Sequence, residues 1–192
     1  MSLTFSTGVG DALKKLGYKV YDSKAATDRY ERDFPLWLEA GRLRLTERSY
    51  NKSDYDKLIG DYNALVGAPT VFFDREFIKL YPNVKVILVT RELDETLIRK
   101  LFEKVESRFW QFIDPVFYGN IAGFLLFNGK ADDRCFVDER FTREAVREKN
   151  LLEIHNLIAW VSLCQFLGVP IPAEPAPELH DNTIKAVFAA RP

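Results

Sequence analysis

The most uniform apolar run in the chain is Val84-Lys85-Val86-Ile87-Leu88-Val89-Thr90, rich in β-branched residues and apolar on both faces. A strand buried between two helical layers reads this way, so the run is placed at the centre of a parallel sheet. Ahead of it, Phe72, Phe73, Glu76, Phe77 and Leu80 recur at three- and four-residue spacings and predict a helix over 69–80, stopped by Tyr81-Pro82-Asn83. Behind it, Leu93, Leu97, Ile98, Leu101, Phe102, Val105 and Phe109 mark one face of a long helix. Its other face carries Glu95, Arg99, Lys100, Glu103 and Lys104.

The flanking pattern is weaker but regular. Residues 2–5 read as a short strand and 6–10 as a glycine turn; a helix then opens at Asp11, its N-cap, and closes at Gly17. Residues 18–21 read as a second strand, which completes a βαβ unit. A helical pattern runs over 25–43 around Tyr30, Phe34, Trp37 and Leu38, with Pro35 as the expected break or kink. A polar loop over 46–53, a short helix over 54–62 and a brief strand over 64–66 follow. Past the long helix, the aromatic stretch 109–127 is interrupted by Pro115, Gly119 and Gly123 and predicts two short helices. Residues 128–138 form a polar turn, 139–148 a charged helix and 151–155 a last strand. Asn156 is the expected cap of a helix closed by Gly168, then comes a proline-rich extended stretch over 169–177 and a final short helix over 184–189.

Composition narrows the class. A length of 192 residues suits one domain over 1–192, and 47% hydrophobic with 29% charged residues marks a globular chain. Twenty-seven basic and 28 acidic residues nearly cancel, with no Lys/Arg block, so neither nucleic acid nor an anionic membrane is an expected partner. Two cysteines are too few for a disulfide framework, and the N-terminal residues lack a secretory pattern, so a cytoplasmic protein is expected. Two isolated His and two isolated Cys give no metal-ligand spacing. The 14% aromatic content fits a bulky core or an aromatic-lined cavity.

Three segments, spread over almost the whole chain, resemble the sulfotransferase-like branch of the P-loop NTPase superfamily, especially its fungal and bacterial members. They are Leu16-Gly17-Tyr18, the run from Tyr81-Pro82-Asn83 through Arg91, and Trp160 with Leu163-Cys164-Gln165-Phe166-Leu167-Gly168-Val169-Pro170-Ile171-Pro172. The resemblance implies an α/β three-layer sandwich with a mostly parallel sheet. It also implies the donor 3'-phosphoadenylyl sulfate (PAPS), or its product 3'-phosphoadenosine 5'-phosphate (PAP), with phosphates borne on the first turn at Thr7, Gly8 and Gly10. The sequence departs from that pattern. Val9, Gly10, Asp11 and Ala12 stand where hydroxyl residues are expected, and Asp11 puts a negative charge where phosphates would sit. Arg91 matches the family's contact to the 3'-phosphate, but Arg99 stands in the position of its serine partner and no proline follows Arg91.

The candidate chemistry follows from position. Arg91, at the carboxyl end of the central strand, is an anion or carbonyl contact, or else the partner of Asp94 or Glu95. His155 ends the last strand and is a candidate base or donor, or else a structural hydrogen-bonding group. Glu76, in a segment resembling the family's glutamate before Tyr-Pro, is a candidate general base, or else a salt-bridge partner. Trp37, Trp110, Phe117 and Tyr118 are candidate walls for a small apolar metabolite, or else core. The leading expectation is a sulfotransferase fold without sulfate-donor binding, acting as a cyclase or isomerase of secondary metabolism. The alternatives are a PAPS-dependent sulfotransferase and a non-catalytic protein that binds a partner or forms a homodimer.

Overall fold

The computed structural model describes residues 8–45, 48–67, 69–90, 139–146, 148–155, 158–177 and 185–189. The elements expected over 2–5, 93–109, 109–127 and 128–138 lie outside these residues, as do Arg91, Trp110, Phe117 and Tyr118.

The first helix, α1 (Gly8–Lys15), begins three residues before Asp11, which is a first-turn residue and not the cap. An acidic side chain there complements the positive helix end. Gly17 ends the helix at φ 84°. Its amide bonds Lys14 O at 3.0 Å and that of Tyr18 bonds Leu13 O at 2.9 Å, the paired closure that a left-handed glycine permits. Strand β1 (Val20–Tyr21) follows, then α2 (Ser23–Asp28), capped by Asp22 through its contact with Ala25 N.

The expected helix over 25–43 is two helices, and the break falls at Arg29 instead of Pro35. Arg29 O accepts from Arg32 N at 3.1 Å and Asp33 N at 2.9 Å, so it starts a fresh helix, α3 (Tyr30–Leu45). Pro35 lies inside α3 on its exposed side, away from the packed face. Helix α4 (Lys52–Ile59) starts two residues earlier than expected because Asn51 and Asp54 form a reciprocal capping box. Strand β2 (Ala64–Val66) is where the pattern put it. The helix expected over 69–80 is a 3-10 turn, Thr70–Phe73, running into α5 (Asp74–Leu80).

Next come β3 (Lys85–Thr90), α6 (Glu139–Ala145), a 3-10 turn (Glu148–Asn150) and β4 (Leu151–His155). Helix α7 (Trp160–Leu167) starts after Ala159, which makes no side-chain cap bond; the expected cap, Asn156, lies outside the described residues. Gly168 closes it at φ 78°. The last element overturns the expected final helix: β5 (Lys185–Ala189) is a strand. Five residues are too few for a helix to hold alone, whereas both backbone edges of β5 find partners in the sheet.

The sheet order is β1-β2-β5-β3-β4. β1 pairs parallel with β2, and β3 with β4; β5 runs antiparallel between Ala64–Val66 on one side and Lys85–Val89 on the other. The four strands β1 to β4 therefore all point one way, and β5 alone opposes them among the described residues.

Side chains alternate across this sheet into two cores. One face carries Tyr21, Leu65, Val86 and Leu88 against Ala26, Trp37, Tyr55, Leu58, Phe73, Phe77 and Val146, from α2 to α6 and the turn before α5. The other carries Val20, Ala64, Val66, Ile87, Val89 and Ile154 against Val9, Ala12 and Leu13 of α1 and Trp160, Leu163, Cys164 and Leu167 of α7. The result is the three-layer α/β sandwich, with α1 and α7 on one side and the other described helices on the opposite side.

Lys85 ties the layers. Its Nζ donates to Phe166 O at 2.8 Å and Leu167 O at 3.1 Å, satisfying the carbonyl end of α7 from the start of β3. Lys85→Met keeps the stem and removes the charge, so it should cost about 1 to 2 kcal/mol. A urea midpoint shifted to that extent with the slope unchanged is the expected readout; an unshifted midpoint would show that the contact contributes nothing net.

Candidate functional site

Because β1 to β4 are parallel, their carboxyl ends at Tyr21, Val66, Thr90 and His155 share one edge of the sheet. Helix α1 runs back into β1, so its start at Gly8 lies toward that same edge; so does the start of α5, which precedes β3. Open α/β sheets bind ligands here. Gly67 leaves β2 at φ 69°, and the buried Thr70 hydroxyl donates to its carbonyl at 2.7 Å, fixing the turn above β2.

At the start of α1, Gly8, Val9 and Gly10 are buried and the Asp11 side chain is 47% exposed. Lys14 Nζ lies 3.9 Å from Asp11 Oδ1 and 2.6 Å from Asp22 Oδ2, so its charge is shared between two carboxylates. Thr7 lies outside the described residues.

The end of β1 holds a polar cluster that the sequence reading missed. Tyr21 Oη donates to Asp33 Oδ2 at 3.0 Å and accepts from Trp37 Nε1 at 2.8 Å. Arg32 Nε donates to the other Asp33 oxygen, and Asp33 is completely buried. Burial is the main reason the Tyr21 phenol sits above its ordinary range; the Asp33 charge adds to it and the bond from Trp37 opposes it. Tyr21 is thus a neutral phenol with both hydrogen-bonding roles taken, a brace and not a proton carrier. The signal for it was Asp33 and Trp37 one helical turn apart, on the face that also carries Phe34 and the core.

Trp37 is 3% exposed, within 6.5 Å (ring centroid) of Tyr21, Tyr55, Phe73 and Phe77. Its ring and its N-H are both spent inside the protein, which leaves no face for a ligand wall. Glu76 lies in the first turn of α5, and its Oε1 is 3.5 Å from Arg44 Nε with both side chains mostly covered. Its Oε2 is buried without a hydrogen-bond partner among the described residues. Burial, and then the Glu76 charge, raise the Tyr55 phenol.

His155 is exposed at the end of β4, in register with Thr90 of β3. Two residues back on the same strand face, Glu153 takes a bidentate pair from Arg143 at 2.9 and 3.0 Å. That pair, more than the neighbouring His155, holds the Glu153 carboxyl below its usual range. The fold therefore gathers His155 and the start of α1 at one edge, buries Trp37 under the end of β1, and commits Glu76 to Arg44.

Among the described residues no group of His, Cys, Asp and Glu is placed to hold a metal ion, and no helix is long and apolar enough to cross a membrane. A family model described as a sulfotransferase domain matches residues 1–184. The chain is also similar to the Ava biosynthesis cluster protein M of Aspergillus versicolor, at 28% identity over 192 residues, covering 88% of this chain and 74% of the relative.

Proposed function

The chain belongs to the sulfotransferase domain family, and from that premise we propose that it is a sulfotransferase-fold enzyme of biosynthesis that works without the sulfate donor. Its substrate on this reading is a small apolar metabolite, and its reaction is a cyclisation or isomerisation. The relative's name places that protein in a biosynthesis cluster, and the same setting is carried over here.

The observation that carries the proposal is the start of α1. A phosphate cradle needs a strand running into a glycine turn and a helix N-terminus free of negative charge. Here Asp11 occupies the first helical turn, Lys14 is already countered by Asp11 and Asp22, and the sheet position between β2 and β3 is held by the antiparallel β5. At 4 Å a phosphate charge beside Asp11 meets a repulsion of about 1 kcal/mol in water and about 4 kcal/mol at an effective dielectric of 20. On this reading these features weigh against the donor, and no step is routed through it.

What remains is an edge suited to acid-base work on a held substrate. On this reading the exposed His155 moves a proton at one carbon of the substrate, and Arg91 holds a carbonyl or anionic oxygen. The aromatic segment with Trp110, Phe117 and Tyr118 covers the apolar part, where orientation alone supplies several kcal/mol. Glu76 keeps Arg44 in place instead of acting as the base. Such a rearrangement leaves the substrate's formula unchanged and needs no redox partner.

Incubation with PAPS and a panel of phenols and alcohols tests the reading. No transfer of sulfate is the expected result, and turnover of any acceptor, lost on Arg91→Ala, would make the protein an ordinary sulfotransferase.

A further inference from the structure

We propose that the extended stretch over 169–177 is a strap latched at Glu174, and that its release frees helix α1 and with it the sheet edge at Gly8. The inference concerns the layer formed by α1 and α7, so it stands whether or not a phosphate donor binds.

Helix α1 cannot hold itself in place. It has eight residues, and two of them, Gly8 and Gly10, are glycines. Isolated helices shorter than about 12 residues are marginal in water, and glycine weakens them further. The position of α1 therefore comes from outside: from Val9, Ala12 and Leu13 in the core shared with α7, and from two lysines near its end. Lys14 reaches Asp22, just past β1, and Lys15 reaches Glu174 of the strap, with Nζ 2.7 Å from Oε2.

The strap is as dependent. It belongs to no helix or strand, and its four prolines, Pro170, Pro172, Pro175 and Pro177, have no amide to donate. Val169 and Ala176 pack partly buried against the α1 and α7 core, one near each end. Between them the polar contacts converge on a single residue. Glu174 O accepts from Trp160 Nε1 at 2.8 Å, tying the strap to the first residue of α7, while the Glu174 carboxylate ties it to the last residue of α1. One residue thus joins the first and last described helices, and both ties are lost together when it lifts. The ion pair alone is weak, since Lys15 is 37% and Glu174 50% exposed. The indole bond is sheltered, with Trp160 8% exposed in the core that holds Val9, Ala12 and Leu13. Lifting the strap therefore bares one side of that core and unclips α1 in the same step. Segments with few backbone hydrogen bonds open locally before a sheet does. Because α1 begins at the ligand edge and ends at the latch, closure of the strap sets how firmly that edge is held.

Hydrogen exchange on the full-length protein, followed by NMR, tests the latch. The Trp160 indole hydrogen reports the strap, and the amides of 12–18, which complete α1 and its glycine turn, report the helix. In the unmodified chain both should follow one opening equilibrium, at least about ten-fold more favourable than that of the amides of 86–89 and 152–154. Glu174→Gln removes the charge and keeps the carbonyl contact, whereas Pro175→Gly gives the open strap more chain freedom. Each should speed both reporters by the same factor, about two- to five-fold, and leave the sheet amides unchanged. An indole that responds while 12–18 do not, no response in either reporter, or a response that spreads to the sheet would each overturn the proposal. So would protection of 12–18 to the level of the sheet in the unmodified chain.

Discussion

Trp37→Ala should lower the unfolding free energy by about 4 kcal/mol, the middle of the range for large aromatic side chains in a packed core. The expectation rests on where the indole sits. It is 3% exposed, touches Tyr21, Tyr55, Phe73 and Phe77, and donates to Tyr21 Oη at 2.8 Å. Its neighbours come from β1, α4, the turn before α5 and α5 itself, so no single shift closes the cavity. For a chain of this length the loss corresponds to a fall in melting temperature of roughly 8 to 16 °C. Trp37→Phe, which keeps most of the ring and drops only the N-H, should lose about 1 to 1.5 kcal/mol. Thermal melts of both variants check the pair. A loss under about 1.5 kcal/mol for the alanine variant would mean that the indole faces open space, as a ligand wall would.

The second large effect is expected at Asp33. Its carboxylate is fully buried and serves Tyr21 Oη and Arg32 Nε. Arg32 is 44% exposed, so water can take over its guanidinium, but the Tyr21 hydroxyl has no such recourse. Asp33→Ala leaves that donor orphaned and opens a void, for a predicted cost of about 3 kcal/mol. Tyr21→Phe should cost about 1 kcal/mol, and the double variant should cost about 1 to 2 kcal/mol less than the sum, since the orphaned donor is gone. Denaturant melts of the four proteins give the coupling; strict additivity would show that the two groups do not act together.

Both effects lie at the end of β1, and their absence from the sequence reading has a physical cause. The strands β2, β3 and β4 were legible because their apolar runs are bounded by turn residues, and Gly17 and Gly168 because each follows an amphipathic helix where a left-handed residue closes it. The Tyr21, Asp33 and Trp37 cluster is a tertiary contact between a strand and a helix. Periodicity marked Trp37 as apolar-facing without saying what it faces.

The start of α1 was misplaced for another reason. Gly8 and Gly10 are turn residues by propensity, yet burial of Val9, Ala12 and Leu13 against the sheet outweighs the roughly 1 kcal/mol that a glycine costs in a helix. β5 was unreadable locally, because its state is set by β2 and β3, about 120 and 100 residues earlier in the chain. Of the site, His155 was legible as the end of a strand, whereas the pairing of Glu76 with Arg44 joins α5 to α3 and leaves no trace in local spacing.

The central proposal is that the first turn of α1 disfavours a nucleotide's phosphates. Isothermal calorimetry with PAP tests it most directly, using the full-length protein at low salt, where charge effects are least screened. The account predicts no saturable heat up to about millimolar ligand, above the scale at which RT ln Kd reaches about −4 kcal/mol. Saturable binding at micromolar affinity or tighter, weakened by Arg91→Ala, would contradict it.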